Sequence, residues 1–166
     1  MSTYADNERG WTPAQWFCLV VGAVLIVAGL VGFAADGTFD SGENLDGDTL
    51  LGLEVNGWHN IVHLLSGLLL LAGARAGQTA RPIALAFGVA YLVVSIIGLI
   101  DGSDILGLLP INAADNVLHL VLTAAAFLAV FLTRDDTTGR RIDRRGIGED
   151  RADTDARAGV AGERTP

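Results

Sequence analysis

The chain of 166 residues contains no lysine at all. Every one of its 11 basic residues is an arginine, against 19 acids, and the net charge is −8. With no basic stripe to hold phosphates, a nucleic-acid partner is excluded. An acidic, lysine-free surface stays hydrated and dispersed at high ionic strength, where screening blunts self-repulsion, so the composition points to a salt-loving source. There is one cysteine, Cys18. A single thiol forms no intrachain disulfide and no thiolate metal cluster, and inside an apolar run it reads as a small core residue. A Gly-rich phosphate loop, a nucleophile elbow with its histidine and acid, and a cysteine pair are all missing, so no residue is marked as catalytic and nothing points to an enzyme.

What the chain has in abundance is apolar sequence. Half of its residues (51%) are hydrophobic, and mean hydropathy is +0.43. The apolar residues come in blocks, the mark of a membrane protein. Four blocks are long enough to cross a bilayer core of ~30 Å at 1.5 Å per residue. They predict helices over about 15–35, 57–74, 82–100 and 113–133. The first is longer than a signal-peptide core and follows no basic segment, so it reads as a retained helix. Thr12-Pro13 marks its entry, and Pro82 is expected at the first position of the third helix. The lipid bilayer is therefore the main partner, and the fold class is an all-α four-helix transmembrane bundle. A short polar segment, 1–13, precedes the domain at 14–133. A polar tail follows from 134 to 166, poor in large apolar residues and expected to be disordered.

The connections carry the charge pattern. Asp36 to Val55 holds six acids and no arginine, and its Asp-Gly pairs mark turns. Asp46-Gly47-Asp48 lacks the remaining spacing of a calcium loop. The chain from Asp101 to Ile111 also reads as a loop. Every arginine, by contrast, falls on the side of the termini and of the 75–81 turn. By the positive-inside rule both termini lie in the cytoplasm, and the protein spans the plasma membrane several times. Trp58 at one boundary and Trp11 and Trp16 at the other fit aromatic belts.

One stretch occurs twice. Asn56-Gly57-Trp58-His59-Asn60-Ile61-Val62-His63-Leu64 is answered fifty-six residues later by Asn112-Ala113-Ala114-Asp115-Asn116-Val117-Leu118-His119-Leu120. Asn56, Asn60, His63 and Leu64 match Asn112, Asn116, His119 and Leu120. Asn56 and Asn112 stand where helix N-caps belong, with Asp115 at the third helical position. Gly22 and Gly32 of the first helix likewise match Gly88 and Gly98 of the third. The chain thus reads as two tandem helical hairpins in the same orientation, related by a pseudo-two-fold axis along the membrane normal.

The repeat concentrates polar side chains. His59 and His63 share a helix face. Across the pseudo-two-fold, His59 is expected to meet Asp115, and His63 to meet His119, roughly 10 Å inside the helix ends. The same faces carry Ser66, Gly67, Thr123, Ala126 and Ala129, so His59, His63, His119 and Asp115, supported by Asn60 and Asn116, are expected to point into the bundle. Three readings of this cluster stand. The first is a structural or interaction role, with the polar groups as interhelical glue. The second is a haem or a transition metal, with His63 and His119 as ligands and His59 and Asp115 assisting. The third is a proton or small-solute conduit, for which the deeper half of the bundle offers little beyond Ser66, Thr123, Tyr91 and Ser95. Small-xxx-small spacings such as Ala28-x-x-x-Gly32 are compatible with packing within the bundle and with a homo-oligomer.

With its four spans, the Trp58-His59-Asn60-Ile61-Val62-His63-Leu64 entry, the Asp101-Gly102 helix end and the Asn112-x-x-Asp115-Asn116-x-x-His119 entry, the chain resembles a family of small prokaryotic membrane proteins. The family is known only as a domain of unknown function, of actinobacterial and haloarchaeal type. The resemblance covers about Trp16 to Leu132. It implies the fold and the membrane location, and it implies no activity.

Overall fold

The computed structural model describes residues 10–134. The expectations for most of the N-terminal segment and for the tail from 135 onward lie outside the described residues. The four apolar blocks form four helices: α1 (Pro13–Ala35), α2 (Gly57–Ala74), α3 (Gly77–Asp101) and α4 (Ala113–Leu132). All four are long and apolar enough to cross a membrane.

The distribution of side chains is that of a bilayer protein. Large apolar residues point outward on every helix, among them Val24, Leu30, Leu65, Leu68, Val93, Leu99, Val121 and Phe131. Polar residues are buried instead: His59, Asn60, His63, Ser95, Asp115, Asn116, His119 and Thr123. In water such a surface would be a continuous apolar patch; in lipid it is solvated. The helix contacts rest on small residues and a few rings, including Ala14, Cys18, Ala80, Ala84, Ala126, Phe17 and Phe87. Small faces let backbones approach closely where lipid leaves no hydrophobic drive to association.

At the end that carries Arg75 and Arg81, side chains of one helix satisfy the backbone of another. Thr12 caps α1 in a capping box with Gln15, and Gln15 also donates from Nε2 to the Ala74 carbonyl at 3.0 Å. Thr133 accepts from Ala14 N–H at 2.9 Å. Arg81 donates from Nε to the Val130 carbonyl at 3.3 Å. These bonds satisfy terminal N–H groups of α1 and terminal carbonyls of α2 and α4 that a helix leaves open.

α3 departs from expectation. It starts at Gly77, so Pro82 lies inside the helix and not at its first position. The break between α2 and α3 is thus only Arg75-Ala76. Ala76 offers no side-chain cap, and the Thr79 hydroxyl instead donates to the carbonyls of Gly73 and Ala76. Pro82 is close enough to the start that its missing N–H removes one early backbone bond without breaking the helix.

The two acidic connections are more ordered than loops. The first holds a hairpin of β1 (Asp48–Leu50) and β2 (Leu53–Val55), with Leu50 opposite Leu53. The second holds β3 (Asp104–Ile105) and β4 (Leu109–Pro110), with Ile105 opposite Leu109. Leu51 and Gly52 turn the first hairpin with φ of 55° and 89°; Leu106 and Gly107 turn the second with 56° and 66°. Two consecutive positive φ angles make a type I′ turn, whose twist matches a hairpin. A leucine in the left-handed region costs about 1 kcal/mol.

The hairpins clasp each other across the acidic end. The N-cap Asn56 donates from Nδ2 to the Leu108 carbonyl of the second hairpin, at 2.8 Å. The N-cap Asn112 donates from Nδ2 to the Gly52 carbonyl of the first, at 2.9 Å. The buried Asp104 accepts from Asn44 N–H and from Gly107 N–H, and Gly42 N–H donates to the Gly107 carbonyl. Each cap thus serves its own helix and the other hairpin. Asn112→Ala is expected to cost about 1–2 kcal/mol, the upper range for a lost cap, because it removes the clasp as well. Thermal unfolding in detergent checks this; a loss of a few tenths only would show the clasp to be idle.

Candidate functional site

The site is built by the two helix entries. Asn56 accepts from His59 N–H at 2.9 Å. This cap starts α2 so that His59 falls in its first turn and His63 one turn deeper. Asn112 accepts from Ala114 N–H and Asp115 N–H, and Asp115 returns the bond by accepting from Asn112 N–H at 3.0 Å. The resulting capping box fixes α4 and places His119 two turns in.

Asn60 and Asn116 seat the preceding helices. Asn60 donates from Nδ2 to the Asp36 carbonyl at 2.8 Å, just beyond the end of α1. Its side chain occupies the space that a Cβ on Gly32 would fill. Asn116 occupies the corresponding space above Gly98 on α3. The match of Gly32 with Gly98 between the first and third helices therefore has a physical content: each of these two glycines makes room for one asparagine.

The three histidines come together. One nitrogen from each of His59, His63 and His119 lies within 4.8 Å of those of the other two. The ring centroids are 4.5 Å apart for His59–His63 and 6.1 Å for His59–His119. All three rings are buried. None of the three Nδ1 atoms has a hydrogen-bond partner among the described residues. Buried nitrogens without partners are costly, about 1–3 kcal/mol each.

Asp115 stands apart from this group. Its Oδ2 is engaged by two backbone donors, Asn112 N–H and Glu54 N–H, both at 3.0 Å. It remains near enough to His59 to act on it electrostatically. The expected meeting of His59 with Asp115 is therefore a charge relation, and His59 packs against the other two histidines. The backbone of Glu54 and Pro110, from β2 and β4, also lies against His59. The clasped hairpins thus cover the histidines at the acidic end.

Glu54 feels this arrangement. Its partial burial, and the nearby carboxylates of Asp115 and Asp46, push its carboxyl above the ordinary value of 4.5, against an opposing hydrogen bond from Asn112. A carboxyl raised on folding stabilises the protein fully below its unfolded value, and that contribution is lost as pH rises through the raised one. Glu54→Gln is therefore expected to raise the unfolding temperature at pH 7 relative to wild type and to leave it unchanged near pH 4. An equal shift at both pH values would assign the effect to packing.

One turn deeper lie further polar groups. Tyr91 of α3 meets the edge of His119, with centroids 5.3 Å apart at 88°, and stacks on Phe87 at 4.0 Å. Its hydroxyl faces Ser66, and the Thr123 hydroxyl has no hydrogen-bond partner among the described residues. Thr123 could be placed from its position four residues after His119 on α4. Tyr91 could not, because nothing in the repeat registers α3 against α4 to within one turn.

Chemically, the site offers three imidazoles, with two hydroxyls below and one carboxylate nearby. Neither the curated proteins nor the solved structures compared with the chain gave a match. A family model does match, over residues 15–132, from the first helix to the end of the fourth. The chain is a multi-pass membrane protein belonging to the family described as Domain of unknown function (DUF4383).

Proposed function

We propose that the protein binds a transition-metal ion through His59, His63 and His119, on the outer side of the plasma membrane. The observation that carries this reading is the trio itself: three buried imidazoles gathered within 4.8 Å, each with an unpartnered Nδ1. A tetrahedral ion with bonds of ~2.0–2.1 Å holds its nitrogens about 3.3 Å apart, so a modest closing of the side chains completes the set. Histidines acting only as glue would satisfy both ring nitrogens; here backbone groups of Glu54 and Pro110 reach the His59 ring, yet all three Nδ1 atoms stay without a partner among the described residues.

Imidazole ligands without thiolate suit Zn, Cu, Fe or Ni. A bare ion fits better than haem. His59 sits beside both His63 and His119, where a macrocycle between two axial ligands would need a flat slot. An ion held by neutral imidazoles brings net positive charge into a region of low dielectric, and Asp115 offsets it from close by. Arg75 and Arg81 lie at the opposite end of the bundle, which supports an outward-facing site.

The repeat explains how such a site arises. We infer that the two halves descend from one helical hairpin, in keeping with the reciprocal bonds of Asn56 and Asn112 and the paired seats of Asn60 and Asn116. His63 and His119 are the shared positions. At position 59/115, where one copy has histidine and the other aspartate, His59 completes the ligand set and Asp115 supplies the countercharge.

A thermal-shift experiment tests the proposal. Chelator-treated wild type in detergent is expected to gain several degrees when Zn(II) is added in large excess over its dissociation constant, since a ligand at a thousand times Kd stabilises by about 4 kcal/mol. His59→Gln is expected to show no such gain. No gain in the wild type, or an equal gain in both proteins, would overturn the reading.

A further inference from the structure

We propose that the two hairpin tips are lipid anchors: Leu51 and Leu106 insert into the leaflet at the acidic end, so that each hairpin lies flat on the membrane. This inference is independent of the metal site.

The first support is the residue type. Position one of a type I′ turn is normally given to Asn, Asp or Gly, which tolerate a positive φ. Here leucine takes it twice, at φ of 55° and 56°, and glycine follows both times. The turn gains nothing from leucine, so its side chain serves something else; a strained conformation kept at two separate places points to a function.

The second support is exposure. Leu51 is 96% exposed and Leu106 is 77% exposed, so neither packs on its own chain. Both stand in connections otherwise rich in carboxylates.

The third support is height. A hairpin can rise from a membrane or lie along it, and the clasp decides between these. The Gly52 carbonyl, next to Leu51, is held by Asn112, the N-cap of α4. The Leu108 carbonyl, two residues from Leu106, is held by Asn56, the N-cap of α2. Both tips therefore sit level with helix entries, which is the level of the bilayer boundary for helices that span it. Trp58 and Phe39 mark the same level: the two rings meet edge to face at 5.0 Å, and the indole N–H donates to the Phe39 carbonyl. Indole is the side chain that prefers this boundary.

Lipid is the occupant that satisfies both tips at once. They stand over different helices, α4 and α2, and the apolar belt of the bundle already meets lipid on both. The clasp holds the tips in place beforehand, so insertion carries little ordering cost.

The test uses the full chain with Leu51→Cys or Leu106→Cys, each labelled with an environment-sensitive fluorophore in phosphatidylcholine–phosphatidylglycerol vesicles. Cys18 is fully buried and leaves the label to the new thiol. Asp46→Cys, in the exposed part of the first connection, is the reference. The expected result is blue-shifted emission at 51 and 106, with quenching by lipids spin-labelled near the headgroup at least threefold stronger than at 46. Water-like emission, with iodide quenching equal to that at 46, would overturn the proposal. So would a label shielded from iodide yet untouched by the spin-labelled lipids, which would assign the tips to a protein contact.

Discussion

His63→Leu is expected to weaken transition-metal binding by at least a hundredfold and, in the absence of metal, to make the protein slightly more stable. The two effects together separate a metal site from packing. His63 is buried, and its Nδ1 has no described partner. Leucine fills a similar volume and removes a buried, unsatisfied polar atom, which relieves a penalty of about 1–3 kcal/mol. Part of that gain is lost to imperfect repacking, so about 1 kcal/mol is the net expectation. Metal binding falls because two nitrogens replace three; loss of a group that only hydrogen-bonds a ligand costs 10- to 100-fold, and a direct ligand costs more. If the histidines were interhelical glue, the same substitution would lower stability and leave no metal effect to measure. Co(II) absorption titrations and thermal unfolding on the same samples give both readings.

Gly32→Ala is expected to be the most damaging single methyl in the bundle. A Cβ there would overlap the amide of Asn60. That amide cannot simply move away, because its Nδ2 is spent on the Asp36 carbonyl at 2.8 Å. Overpacking costs about 1–3 kcal/mol, and a lost bond to a buried group adds a similar amount. Gly98→Ala meets Asn116 and Ile111 and should behave alike. The diagnostic is the pair Gly32→Ala with Asn60→Ala. Removing the amide frees the space, so the second change should cost much less in the Gly32→Ala background than in wild type, an interaction of about 1–3 kcal/mol. Strict additivity would show that the two residues do not share a seat.

Much of this could be read from the chain. Four apolar blocks with arginine kept to one side make four spanning helices, because a bilayer requires an unbroken run of backbone bonds. Asn56 and Asn112 were legible as caps from type and position alone. Pro82 misled, since proline suits the first helical turn so well that the five residues before it read as a turn. The hairpins were hidden by composition: acids and glycines suggested a loop, and Leu-Gly is a poor advertisement for a type I′ turn. A signal was present all the same. Leu50-Leu51-Gly52-Leu53 recurs as Ile105-Leu106-Gly107-Leu108, which extends the repeat upstream of the caps.

The candidate site was half legible. Spacing placed His59 and His63 on one face, and the repeat placed His119 opposite. Equating His59 with Asp115 then pointed to a pair, because repeat symmetry says which positions correspond and nothing of which side chains are already occupied. Asp115 is occupied by the capping box and by Glu54 N–H. That commitment leaves His59 to the other histidines. Tyr91 lay beyond reach for a related reason: its approach to His119 depends on the rotation of α3 against α4, which packing decides.

The most direct test of the metal site is elemental analysis of protein purified in detergent without chelators, wild type beside His63→Ala and His119→Ala. The account predicts about one transition-metal ion per chain in the wild type, lost in both variants, with three histidine nitrogens on the ion (His59, His63, His119). A folded wild type that carries no metal and takes none up from solution, or an ion retained in both variants, would contradict it.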